Sequence, residues 1–169
     1  MEIWDLYTKD GQPTGKQHRR GDPLPAGFYH PGVHVWIKNS QGQYLMSQRA
    51  ADRPTFPLKW ECVGGSMLAG EDSLTGAIRE VREELGLRIP AENFRKLAVY
   101  GEPGRIAAYR DGSIWRMVIV VFGLDFPEMP EMRISSESKE LRFFTKEQLR
   151  DIEIVITHSD IVEDWFLNR

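Results

Sequence analysis

The chain has 169 residues, with 22 Lys and Arg against 25 Asp and Glu, a formal net charge of −3. That balance, with 41% hydrophobic and 28% charged residues, excludes a disordered tail protein and predicts one globular domain over residues 1–169. Without a run of five like charges the chain is not expected to hold duplex nucleic acid by counterion release. The lone cysteine, Cys62, leaves no internal disulfide, and the longest apolar run, Met117 to Leu124, is far short of the ~20 residues that cross a bilayer. Met1 to Asp5 has no basic region followed by an apolar stretch, so the expectation is a cytoplasmic protein.

In chain order, a short apolar piece, Ile3 to Tyr7, precedes a polar stretch, Lys9 to Gly27, read as an ordered loop or arm. Two strand-like runs follow, Val33 to Lys38 and Gln43 to Gln48, joined by Asn39, Ser40, Gln41 and Gly42 as a hairpin. From Leu74 the period changes. Leu74, Ala77, Ile78, Val81 and Leu85 form a stripe that only a helix lines up, predicted from about Asp72 to Leu85. Asp72 or Ser73 can cap its start, and Gly86 suits the left-handed residue past its end.

Strands are next predicted at Leu97 to Tyr100, Ile106 to Tyr109 and Ile114 to Phe122, the last two joined by a turn containing Asp111-Gly112. A last strand, Leu141 to Phe144, runs into Thr145, whose spacing to Gln148 fits a capping box. A C-terminal helix is expected over Ser159 to Leu167. This order implies an α/β (α+β) fold, a mixed sheet covered by helices on both faces.

Glu80, Glu83 and Glu84 fall at i, i+3 and i+4, so their carboxylates share one helix face, away from the apolar stripe. Anionic side chains one turn apart repel by a few tenths of a kcal/mol per pair unless a cation lies among them. A hard divalent ion such as Mg²⁺ takes oxygen ligands and commonly bridges carboxylates to substrate phosphate. A solvated acidic face is the alternative reading.

The wider spacing decides between them. Gly65, Glu71, Arg79-Glu80-Val81, Glu83-Glu84 and Gly86-Leu87 are separated by five, seven, one and one residues. This resembles the Nudix box of the Nudix hydrolases at every fixed position, a match of order 10⁻⁸ by chance at average residue usage. The resemblance implies the Nudix fold, an α/β/α sandwich with a mixed sheet. It also implies cleavage of a diphosphate linking a nucleoside or other group to a second moiety, with Mg²⁺ or Mn²⁺ as cofactor. Carried onto this sequence, it makes Glu80, Glu83 and Glu84 metal ligands, Glu71 a support from the loop, and Gly64 a carbonyl ligand, with Arg79 orienting a glutamate. The family often takes a base from a loop beyond the box. Glu137 is the first candidate here and Glu140 the second, with a solvated loop carboxylate the alternative for either. Arg49 stands where many members carry a phosphate-contacting arginine, an exposed salt bridge being the other reading.

The N-terminal part and Val33-His34-Val35-Trp36-Ile37 resemble the branch that includes isopentenyl-diphosphate isomerase, where His18 and His34 would stand near metal-binding histidines. A structural histidine is the alternative. That isomerase needs a Cys-Gly-His where this chain has Gly64-Gly65-Ser66, and Cys62 lies two residues early, ~6.6 Å along a strand. Hydrolysis is therefore favoured over isomerisation and over a non-catalytic nucleotide-binding module. Trp36, Trp60, Tyr100 and Trp115 are read as core, and Pro103 as a turn rather than a mark of ADP-ribose cleavage. The expected partner is a small-molecule diphosphate, and the chain a monomer or homodimer.

Overall fold

The computed structural model of the protein describes residues 2–101, 107–108 and 114–155. The polar N-terminal stretch is not a plain arm. β1 (Ile3–Tyr7) pairs antiparallel with β2 (Pro13–Arg19), a hairpin that the sparse apolar pattern of β2 concealed. It packs on the rest of the chain through Trp4 and Leu6, both buried, and through hydrogen bonds from the Ala69 amide to the Ile3 carbonyl and from the Gly70 amide to Asp5 Oδ2.

β3 (His30–Asn39) and β4 (Tyr44–Arg49) form the predicted hairpin. Asn39 builds its turn by accepting the Gln41 and Gln43 amides on Oδ1, a local bond that asparagine favours. The arms pair at Lys38 and Tyr44 and then splay. Two short strands fill the gap: β5 (Trp60–Glu61) pairs with β4, and β6 (Val63–Ser66) pairs with the first half of β3.

The helix α1 (Ser73–Leu85) begins where the sequence places it. Asp72 caps it by accepting the Thr75 amide at 2.7 Å, and Gly86 follows it at φ 72°. β7 (Arg95–Gly101), β8 (Ala107–Ala108), β9 (Ile114–Trp115), β10 (Met117–Phe126) and β11 (Ser138–Phe144) complete the strands. The run predicted as one strand from Ile114 breaks at Arg116, whose guanidinium is drawn to the Phe28, Leu24 and Pro25 carbonyls. The main sheet runs β11-β4-β3-β10-β7, and β3 is parallel to β10 within an otherwise antiparallel set.

α1 buries Ala77, Val81 and Leu85 against Val33, Val35, Ile37 and Val63 on one face. The other face carries Trp36, Met46, Trp60, Cys62 and Val121, closed by Leu149, Ile152 and Ile154 around a 3-10 turn at Gln148–Arg150. The capping box forms there, with Thr145 and Gln148 exchanging amide bonds. Among the described residues α1 is the one α-helix, so helical cover is seen on one face. The helix expected over Ser159 to Leu167, the Asp111-Gly112 turn and Pro103 lie outside the described residues.

Candidate active site

Where β3 and β4 diverge, a cleft of about 690 Å³ opens. Its floor is Glu61, Gly64 and Gly65, and one wall is Arg79, Glu80, Glu83 and Glu84 from α1. The β1–β2 hairpin, with Trp4, His18 and Arg20, forms another wall, and the loop bearing Glu137 a third.

The two glycines are there for room. A Cβ on Gly64 would collide with the Val33 carbonyl across the β6–β3 pair, and one on Gly65 with the Glu80 carboxylate. β6 and α1 can therefore approach closely, and the Gly64 amide donates to Glu84 Oε1 at 3.0 Å.

The acidic face is not the solvated one of the alternative reading, nor does all of it lie away from the apolar stripe as expected. At 100° per residue Glu84 lies only about 20° from Ala77 around the helix, beside the apolar stripe. Glu80 keeps 12% of its side chain exposed, whereas Glu83 keeps 53%. Burial raises the Glu84 carboxyl well above its usual range, and the nearby charge of Glu61 adds to it against the Gly64 bond. Burial raises Glu80 as well, against the pull of Arg79.

Arg79 organises this wall. Its Nε and one terminal nitrogen hold the two Glu71 oxygens at 2.8 and 3.0 Å, the latter nitrogen also donates to the Ser66 carbonyl, and the other terminal nitrogen spans Glu80 (2.7 Å) and Glu83 (3.1 Å). Glu71 also accepts the Leu68 amide. Burial alone would raise the Glu71 carboxyl, but the bonds from Arg79 and Leu68 outweigh it and leave it lowered. Glu71 is absent from the cleft lining and buttresses Arg79 from behind, whereas Gly64 lies in the floor.

Among the described residues no three His, Cys, Asp or Glu side chains are gathered tightly enough to hold a metal ion as they stand. One terminal nitrogen of Arg79 binds both Glu80 and Glu83. The donor set nonetheless suits a hard divalent cation. It is made of carboxylate oxygens, and after burial the charges of Glu61 and Glu80 raise the Glu84 carboxyl further, an excess of negative charge that a cation would relieve.

The remaining candidates separate by position. Glu137 lines the cleft and pairs with Arg53 at 2.9 Å, whereas Glu140 lies outside the lining and pairs with Arg142. Arg49 lines the cleft, but its guanidinium is bound to both Glu61 oxygens and to Thr55, in a pair 12% and 19% exposed rather than an open salt bridge. His18 and His34 both reach the cleft; His18 bonds the Asp22 carbonyl, and His34 is buried opposite Gly64. Trp36 and Trp60 are core. Side chains of Tyr100 and Trp115 lie outside the described residues. Sequence reasoning missed Glu61, Arg53 and His30, which line the cleft from segments with no motif of their own. The acid four residues before Gly65 was the available signal for Glu61.

The model of the NUDIX domain matches residues 28–165. The chain belongs to the Nudix family. It is a hydrolase acting on acid anhydrides, of a family that hydrolyses pyrophosphate bonds in nucleoside diphosphate derivatives and generally uses divalent cations. An uncharacterised Nudix hydrolase of Listeria innocua is 35% identical over all of this chain and 93% of its own length. The crystal structure of a Deinococcus radiodurans protein superposes at a TM-score of 0.76, covering 96% of this chain and 98% of its own at 23% identity, which speaks for the fold. An isopentenyl-diphosphate isomerase of Shigella flexneri is 32% identical over 50% of this Nudix chain and 47% of its own length. No helix among the described residues is long and apolar enough to cross a membrane.

Proposed function

We propose that this Nudix hydrolase cleaves the diphosphate linkage of a small organic diphosphate, with Glu80, Glu83 and Glu84 and the Gly64 carbonyl holding Mg²⁺ or Mn²⁺. The observation that carries this reading is the convergence of those α1 carboxylates with the Gly64 strand on the cleft floor. The bound cation neutralises diphosphate charge and lowers the pKa of water. Glu71 and Arg79 fix the helix wall, Arg79 orienting Glu80 and Glu83. Glu137, at the cleft edge, takes a proton from the attacking water; a base must come within about 3 Å of it. The lone buried thiol supports a cytoplasmic location.

Isomerisation is the competing chemistry. It needs an acid and a base on opposite sides of an allylic unit, and the thiol slot holds Gly64. Cys62 lies in the core cluster of the opposite face, outside the cleft lining, and burial holds its thiol well above the usual range.

The test is a screen of the purified protein with Mg²⁺ against nucleoside triphosphates, dinucleotides, nucleotide sugars, ADP-ribose, coenzyme A and isoprenoid diphosphates, run in ¹⁸O-labelled water. Label should enter a phosphate product, and Cys62→Ala should leave the rate within about threefold. Conversion of isopentenyl diphosphate to its allylic isomer without phosphate release, lost in Cys62→Ala, would overturn the hydrolytic reading.

A further inference from the structure

Arg49 and Glu61 form the most heavily bonded ion pair at the cleft outside the Nudix box. One terminal nitrogen of Arg49 makes both bonds to Glu61 (2.8 and 2.9 Å), while Nε reaches the Thr55 carbonyl (3.0 Å) and the other terminal nitrogen Thr55 Oγ1 (3.2 Å). One guanidinium thus ties the cleft floor to the middle of the loop between β4 and β5, residues 50–59.

That loop is held under backbone strain. Phe56 and Leu58 sit at φ 47° and 63°, in the left-handed region that side chains with a Cβ avoid. Such a conformation persists only where its surroundings over-determine it. The surroundings here are the Arg49 bonds to Thr55, the Leu58 amide on the Arg49 carbonyl, the Arg49 amide on the Lys59 carbonyl, and Gln48 Nε2 on the Leu58 carbonyl. The same loop grips the segment that carries Glu137. The Ala50 amide donates to the Glu137 carbonyl at 2.9 Å, and Arg53 pairs with the Glu137 carboxylate at 2.9 Å. Pro54, Thr55 and Phe56 line the cleft.

We propose that Arg49 and Glu61 are positioning residues: their ion pair clamps the strained 50–59 loop, which in turn holds Glu137 at the cleft, and Arg49 does not contact substrate phosphate. The distinction follows from valence. Four of the five guanidinium N–H donors are already given to protein, so gripping a phosphate with two of them would break the clamp and loosen the hold on the buried Glu61. The inference rests on the reading of Glu137 as the base, and two measurements separate them.

The first is amide hydrogen exchange on the full chain. In Arg49→Lys, which keeps the charge but loses the fork, the Leu58 and Ala50 amides should lose protection while those of α1 keep theirs. The second is a kinetic cycle in the screen's best substrate. Arg49→Lys should lower kcat by about 10- to 100-fold, the scale of a small misplacement of a reacting group, with KM within about threefold. Glu137→Gln should cost on the order of 10² to 10⁴. The double variant should be no slower than Glu137→Gln alone, since a clamp acting through Glu137 has nothing left to position. Glu61→Gln should reproduce the Arg49→Lys pattern and serves if the latter folds poorly. Unchanged loop protection in both variants overturns the clamp. So does a raised KM with kcat intact, which marks a direct phosphate contact, or additive losses in the cycle. If Glu137→Gln keeps full activity while Arg49→Lys loosens the loop and lowers kcat, the base assignment falls and the clamp on the loop stands.

Discussion

At the scale of single residues, Glu84 is a carboxyl held in an unfavourable place. Its carboxyl is raised by burial and by Glu61, so the folded chain takes up a proton that the unfolded chain does not. Stability from this group is present below the unfolded pKa and is lost as pH rises through the folded value, so ionising Glu84 inside the fold is unfavourable. Glu84→Gln keeps the shape and the bond from the Gly64 amide but removes the charge. It should raise the melting temperature measured in EDTA, and lower kcat by about 10²-fold or more, the scale of losing one electrostatic stabiliser. Glu83→Gln, on an exposed side chain, should show the same loss of kcat with an unchanged melting temperature. Thermal scans without metal and turnover at saturating Mg²⁺ check both. A lower melting temperature in Glu84→Gln would mean that its charge is compensated in the fold, and activity above half in both variants would remove the metal assignment.

At the scale of elements, α1 carries the site because its ends are pinned. Asp72 satisfies a free amide of the first turn, and Gly86 reverses the chain at φ 72° so that the Arg133 amide can close on the Leu85 carbonyl. Asp72→Ala should cost about 1 kcal/mol, a fall in melting temperature of roughly 2–4 °C for a chain of this size. Asp72 lies outside the cleft lining, so kcat should stay at the wild-type value. Gly86→Ala should cost about 1–2 kcal/mol, because an L-residue is forced into the left-handed region. Differential scanning calorimetry of the two variants reads both numbers. An Asp72→Ala chain as stable as wild type would show that the cap bond is replaced by water without loss.

At the scale of the whole molecule, two imidazoles are sealed beneath the hairpin and the sheet. Burial lowers both His30 and His34 to about 3, with the charges of His18 and Arg20 adding to the effect at His30, and Trp4 stacks on His30 at 4.4 Å. The unfolded chain binds these protons near 6.5, so the stabilising contribution is complete above that pH and is lost as pH falls toward 3. For one such residue the loss is about 2 kcal/mol between pH 7.5 and 5. Because the raised Glu61, Glu80 and Glu84 work in the opposite direction, the clean measurement is a difference. Urea unfolding of wild type and His34→Gln at both pH values should show the variant losing about 2 kcal/mol less. Equal losses would mean that His34 is protonated inside the fold.

The local features were legible in the sequence. The helix ends, the β3–β4 turn, the capping box at Thr145 and Gln148, and the family carried by Gly65 to Leu87 all depend on residues within one or two turns of each other, where side-chain chemistry and period suffice. β2, with no fully buried position, and the two-residue strand β5 left no period to read, since their pairing energy comes from partners elsewhere. Which carboxylates are buried was likewise outside the reach of pattern: Glu80 and Glu84 are drawn inward only because Gly64 and Gly65 let β6 approach the helix. Nor could spacing place Arg49 on Glu61 or set Arg53 against Glu137, a pair separated by most of the main sheet in sequence and joined by the β4–β11 pairing. Amino-acid order determined the helix, its caps and its acids; the tertiary structure decided which charges meet, because burial and ion pairing depend on distances that only the folded sheet sets.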